Sequence, residues 1–235
     1  MPYISLLFRQ IALLFSSKAP HLGQNILIFT FDIHVLNKLL QKQLWQQIIK
    51  AKLWNQSHLL ELVGQDGQAL RQIVKTVKSG DSSNREAWGA KLYWANMFGE
   101  EFSRDRAGAL PNAALNYGYA ILRAAVARAL AGAGLLPTLG IHHKNRYNAY
   151  CLADDVMEPY RPFVDWLVVD LYEELMEAGE LLKEHRQQLL QLLYMDVLME
   201  EKMRPLNVAL QHSTYALAQC FAGERRKLLY AQFPV

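Results

Sequence analysis

The sequence predicts an all-α fold: a helical domain over residues 39–235, preceded by a short segment, residues 1–38, that holds at most one strand. Three observations lead there. Apolar residues recur at helical spacing from Leu39 onward. Clusters of glycine, serine and asparagine cut that pattern into helix-length pieces. Only the first 38 residues carry apolar runs without a clean period.

The first helix follows from Leu39, Leu40, Leu44, Ile48 and Ile49, and its pattern continues through Leu53, Leu59, Leu60 and Leu62. Gly64-Gln65-Asp66-Gly67 ends it. A shorter helix is expected over residues 68–78. Residues 79–84 form a turn cluster with several candidate N-caps for a third helix, residues 84–97. Residues 99–111 are polar and read as a loop. Asn112 opens a long helix rich in alanine and leucine, to about Ala133. Residues 134–151 hold Pro137, Gly140 and a basic run without helical period. Ala153 starts a helix that Pro159 and Pro162 must kink or interrupt, because proline lacks the backbone N–H. It resumes through Trp166, Leu171 and Leu175, and residues 181–221 read as mostly helical again. The single expected strand is residues 26–31.

Composition narrows the function classes. At 51% hydrophobic and 20% charged, the chain has an ordinary globular balance. The net charge of +3 pulls only weakly toward a polyanion. Two cysteines, Cys151 and Cys220, form no CxxC pair. That argues against a thiolate zinc site and a disulfide framework, and fits a reducing cytoplasm. Arg9 interrupts the apolar N-terminal run, with no small-residue cleavage site behind it, and residues 26–31 are too few to span a bilayer as a helix. No membrane element is expected.

Three segments carry chemistry. Glu86 lies in the first turn of the third helix, among small residues; taken alone, it reads as an acid favoured by the helix dipole. His142-His143 sits in a loop opened by Gly140 and followed by Lys144 and Arg146, which suits a metal or phosphate site as well as a solvated basic loop. Asp154 or Asp155 can cap the next helix. Capping needs only one carboxylate, however, and Asp155 and Glu158 share a helical face. A Glu, a His and an Asp without a thiolate suit magnesium or manganese better than zinc. So sparse a set leaves positions for water and phosphate, as metal-assisted phosphodiester chemistry needs.

An ordered series of motifs then resembles one family. It comprises Leu40-Gln41-Lys42-Gln43-Leu44-Trp45-Gln46 leading into Ile49-Lys50-Ala51-Lys52, the helix from Glu86 to Tyr93, and Pro111-Asn112-Ala113-Ala114-Leu115-Asn116-Tyr117-Gly118-Tyr119. The Gly-Ile-His-His loop, the stretch from Asp155 to Pro162, Val164-Asp165, Pro205-Leu206 and Cys220-Phe221-Ala222-Gly223-Glu224-Arg225-Arg226-Lys227 follow in order. Over residues 40–233 the chain resembles the CRISPR-associated integrases of spacer acquisition, the Cas-one family, and specifically the type II branch.

The resemblance implies a helical catalytic lobe with Glu86, His143 and Asp155 as catalytic and metal-binding residues, His142 and Asp154 being the second choices. It implies Mg2+ or Mn2+ as cofactor, and Lys144, Arg146 and Arg161 as DNA contacts. The implied reaction is transesterification, in which the 3′-hydroxyl of a short duplex attacks a phosphodiester of the CRISPR array. The implied partners are DNA, a second copy of the chain in a homodimer, and a small ferredoxin-like subunit. The family carries a β-rich N-terminal domain, for which residues 1–38 are too short, so they read as a truncated remnant of it. Two other readings follow: an inactive fragment that folds and binds DNA without assembling, and a helical interaction protein unrelated to the family.

Overall fold

A computed structural model describes residues 38–234. Residues 1–37 of the expected N-terminal segment, with the strand expected over residues 26–31, lie outside the described residues. The first helix, α1 (Lys38–Leu62), is the element around which the others gather. Leu44, Ile48, Ile49, Leu53, Leu59 and Leu60 are fully buried along it. From Lys52 to Leu60 its polar residues Asn55, Gln56 and Ser57 are buried as well, so α1 runs through the interior with no fully solvated face there. Gly64, with φ of 78°, turns the chain out of it.

Helices α2 (Gln68–Thr76) and α3 (Arg85–Phe98) pack on one side of α1. The approach of α3 depends on Gly89, where a Cβ would stand 2.2 Å from Leu53 Cδ2. On the other side, α4 (Asn112–Gly132) packs against α5 (Cys151–Met157) and α6 (Arg161–Asp170). The asparagines that open α4 hold the preceding loop. Asn112 donates to Ser103 O at 2.9 Å, and Asn116 donates to the carbonyls of Asp105 and Arg106 at 3.1 Å each. Pro159 and Pro162 act as expected: the helix passes into a 3-10 turn, Glu158–Tyr160, before α6 resumes. Short helices α7 (Tyr172–Ala178) and α8 (Lys183–Leu190) follow.

Residues 181–221 are mostly helical, as expected, and ten of them are the exception. β1 (Asp196–Met199) and β2 (Lys202–Pro205) form an antiparallel hairpin, with Met199 opposite Lys202 and Asp196 opposite Pro205. Its two-residue turn is Glu200-Glu201, with φ of 52° and 61°. Such turns normally announce themselves with asparagine and glycine, and two glutamates give no such signal. Helix α9 (Leu206–Phe221) then packs on α4. The chain end returns to the hairpin, where Gln232 and Leu198 exchange backbone hydrogen bonds of 2.8 and 2.9 Å. The fold is otherwise all-α, as the sequence predicts. No described helix is long and apolar enough to cross a membrane.

Candidate active site

The start of α3 is fixed by Asp81, whose two carboxylate oxygens accept the Arg85 and Glu86 backbone N–H groups at 2.8 and 2.9 Å. This cap places Glu86 on the first turn, facing α1. Lys52 of α1 meets it there. Its Nζ lies 2.7 Å from Glu86 Oε1 and 2.6 Å from Glu158 Oε2. Glu158 is only 4% exposed and is also paired with Arg161, at 2.8 Å from Nε to Oε1. The position of Glu158 is set by the turn that Pro159 imposes, and Asn55 of α1 ties that turn down by donating to Pro159 O at 2.8 Å.

The electrostatics follow from this packing. Burial alone would lower the pKa of Lys52, but the charges of Glu158 and Glu86 raise it above the ordinary lysine value. Burial alone would raise that of Glu158, but Arg161 and Lys52 hold its carboxyl down to about 2. The result is a chain of alternating charge, buried at Lys52 and Glu158 and half-buried at its ends: Glu86, Lys52, Glu158, Arg161.

The histidine loop adjoins this chain. Asp155 is fully buried, and its Oδ2 accepts the His142 N–H at 2.8 Å. Its Oδ1 accepts the His143 N–H at 3.3 Å and lies 2.5 Å from His143 Nδ1. Gly140 permits this folding-back, since a Cβ there would stand 2.2 Å from His143 O and 3.0 Å from Asp155 Oδ2. Trp45 of α1 supports both imidazoles. It stacks on His142 at 4.1 Å with 3° between planes, and meets His143 edge-on at 5.8 Å. The hydrogen bond to Asp155 raises the pKa of His143; burial opposes it, and the negative charges of Asp155, Glu158 and Glu86 add to it.

The structure thus puts His143 and Asp155 in direct contact, and brings Glu86 to the same place through Lys52. Among the described residues, no three side chains of His, Cys, Asp or Glu surround a single point within reach of one metal ion. The cation between Glu86 and Glu158 is an ammonium, and Asp155 is turned to the loop backbone. The donor types still fit a hard divalent cation: two carboxylates already gathered about one positive charge, and an imidazole oriented through Nδ1.

The second choices are placed elsewhere. Asp154 accepts Arg123 at 2.8 and 3.1 Å and Asn148 at 2.6 Å, and His142 is occupied by its stack on Trp45. Lys144 is exposed on the loop. Arg146, also exposed, lies over the Tyr147 ring at 4.5 Å. Arg161 is in the site, held by Glu158 and lying over Tyr119 at 4.6 Å. Sequence reasoning included Lys52 in the motif series without giving it a role in the site, and left Glu158 as a neighbour of Asp155. The signal for Glu158 was there: an acid spaced to share the face of Asp155. Behind the site, Tyr93 and Tyr119 both donate to buried Asp165, the former at 2.8 Å. Burial pushes the Asp165 carboxyl up to about 6 against those hydrogen bonds.

The profile of the family described as CRISPR associated protein Cas1 matches residues 20–196. The chain belongs to the Cas1 family. A Cas1 relative from Neisseria meningitidis, a CRISPR-associated endonuclease, is 43% identical over 169 residues, covering 71% of this chain and 55% of the relative. The type II character read from the motifs is consistent with that relative. A second Cas1 relative, from Pyrobaculum aerophilum, is 34% identical over 164 residues, covering 65% of this chain and 54% of its own. The chain therefore spans about half the length of these curated relatives. Two solved structures share the fold. One is a casposase bound to integration product, with TM-score 0.73 and 20% identity, over 88% of this chain and 72% of the other. The other is a Cas1 protein from Thermotoga maritima, with TM-score 0.74 and 17% identity, over 88% and 73%.

Proposed function

We propose that this chain acts as a metal-dependent DNA endonuclease and integrase, joining short DNA into a CRISPR array by transesterification. The observation that carries the reading is the pair of carboxylates, Glu86 and Glu158, gathered about one cation beside an imidazole that Asp155 orients. In this reading Glu86, His143 and Glu158 hold Mg2+ or Mn2+, and Asp155 is a positioning residue. A fully buried carboxylate already engaged by two backbone N–H groups and a ring nitrogen has little left to offer a metal. The bound ion supplies charge stabilisation at the phosphate and orients the attacking oxygen.

The chain's own residues do the rest. Asp155 fixes the His143 ring through Nδ1 and so directs Nε2 outward. Arg161, with Lys144 and Arg146 on the exposed loop, positions DNA phosphate without reading sequence. The 3′-oxygen of the incoming strand forms a bond to phosphorus as the bond to the array's own 3′-oxygen breaks. That oxygen leaves and takes up a proton, and no covalent bond to the protein forms. Chains of this fold are solved within Cas6-RT-Cas1–Cas2 complexes, which supports assembly with Cas partners; a small ferredoxin-like subunit and a second copy of the chain are the partners this reading assigns.

The test is cleavage and strand transfer on a supercoiled repeat-bearing plasmid, with the partner subunit and Mn2+. Loss of both activities in His143→Ala and Glu158→Gln, with DNA retained in a gel-shift, is the expected result. Full activity in Glu158→Gln, together with loss in a folded Asp155→Asn, would return the third ligand to Asp155.

A further inference from the structure

Lys52 is a lysine that the fold has buried, at 8% exposure, between two carboxylates. A structural ion pair needs one acid and one base, whereas this ammonium has two acids within 2.7 Å on separate helices. It occupies the space between Glu86 and Glu158, which is also where a divalent cation shared by those two residues would sit. An ammonium and a divalent ion cannot share that space, because like charges at contact distance repel strongly in a dry site.

There is room for the ammonium to go. A cavity of about 250 Å³ adjoins it, lined by Lys52, Gln56, Tyr119, Glu158, Arg161 and Asp165 among others. Gln56 is one helical turn on from Lys52, on the same side of α1. It is 2% exposed, and its Oε1 is buried without a hydrogen-bond partner. An unpartnered buried carbonyl is costly unless some state of the molecule satisfies it. The lysine stem has four rotatable carbons and a point charge at its end, so the swing needs no backbone movement.

We infer that Lys52 is an exchangeable counterion: its ammonium holds Glu86 and Glu158 together until a divalent cation takes its place, and then moves to Gln56 in the adjoining cavity. The inference rests on the metal reading above, with Glu86 and Glu158 as ligands. The ammonium keeps its proton in both positions, so no proton transfer is involved. Lys52 thereby neutralises the two acids before metal binds, and it opposes metal entry at the same time.

Mn2+ titration of the full chain, followed by the electron paramagnetic resonance signal of free Mn2+, tests this. Lys52→Met removes the competitor at similar length, and its Mn2+ affinity should rise about tenfold. Its melting temperature should fall in EDTA and recover with Mn2+. A purely structural lysine would lower stability in both conditions and would not tighten binding. Gln56→Leu removes the second acceptor without touching the carboxylates, and should weaken Mn2+ binding about fivefold. Unchanged or weaker affinity in Lys52→Met, or unchanged affinity in Gln56→Leu, overturns the exchange while Glu158→Gln still abolishes binding and upholds the metal site. If wild type and Lys52→Met both fail to bind Mn2+, the metal reading falls, and the exchange with it.

Discussion

Asp155→Ala separates a residue that holds a loop from one that holds a metal. In the structure the carboxylate accepts the His142 N–H at 2.8 Å, meets His143 Nδ1 at 2.5 Å, and accepts the His143 N–H at a longer 3.3 Å. Hydrogen bonds to a charged group contribute about 1.5–3 kcal/mol each. The long contact adds little, and the loop's exposed side admits water to the freed groups. The net loss expected is therefore about 3 kcal/mol. Urea unfolding followed by circular dichroism would read it as a shifted midpoint at unchanged slope. Hydrogen exchange at the His142 and His143 amides should accelerate in the same variant. Mn2+ affinity should fall in part, through the disordered ring, and not vanish as in Glu158→Gln. A loss below about 1 kcal/mol, with both amides still protected, would refute the role given to Asp155.

Two further outcomes follow from the geometry. Gly140→Ala puts a Cβ 2.2 Å from His143 O, so the histidine loop must move; a cost of about 2 kcal/mol in chemical denaturation and a weakened Mn2+ affinity are expected. Asp165 has a carboxyl raised from 3.8 to about 6, so the native state holds a proton there that the unfolded chain has released. Its contribution to stability is therefore full below about pH 4 and is lost as pH rises through about 6. The difference in unfolding free energy between wild type and Asp165→Asn should change across that window, with wild type losing stability relative to the variant as pH rises, and parallel curves would refute it. Glu158 acts in the opposite sense and at lower pH, since its contribution is lost as pH falls from 4.5 toward 2.

Much of the helical frame was legible because its punctuation is chemical. Gly64, the turn cluster before Arg85 and the two prolines after Glu158 each stop or bend a helix by a local mechanism, and the observed bounds fall within a residue or two of the expected ones. The hairpin at residues 196–205 was not legible, because Glu200-Glu201 adopts a turn conformation that its side chains do not favour. At the site, the resemblance named Glu86, His143 and Asp155, and the α-helical period showed only that Glu158 shares a face with Asp155. The 3-10 turn that begins at Glu158 and the backbone N–H groups of the histidine loop are what separate them, and both are tertiary facts. Nothing in the sequence sets Lys52 apart from the other lysines of α1, since only the packing of α3 and the Glu158 turn on α1 buries it between two acids.

Trp45, Lys52 and Gln56 lie on α1 at intervals of seven and four residues. At about 100° per residue these three point within about 40° of one another, and the rise from the first to the second is about 10 Å. The distance between the imidazole platform and the acid pair is therefore metered by the pitch of a single helix, with no loop to absorb an error. One residue inserted between Trp45 and Lys52 would turn the ammonium about 100° away from both glutamates, while leaving the helix intact. Any chain that builds its site this way is free to vary loop lengths elsewhere, but it must keep the count along this ruler.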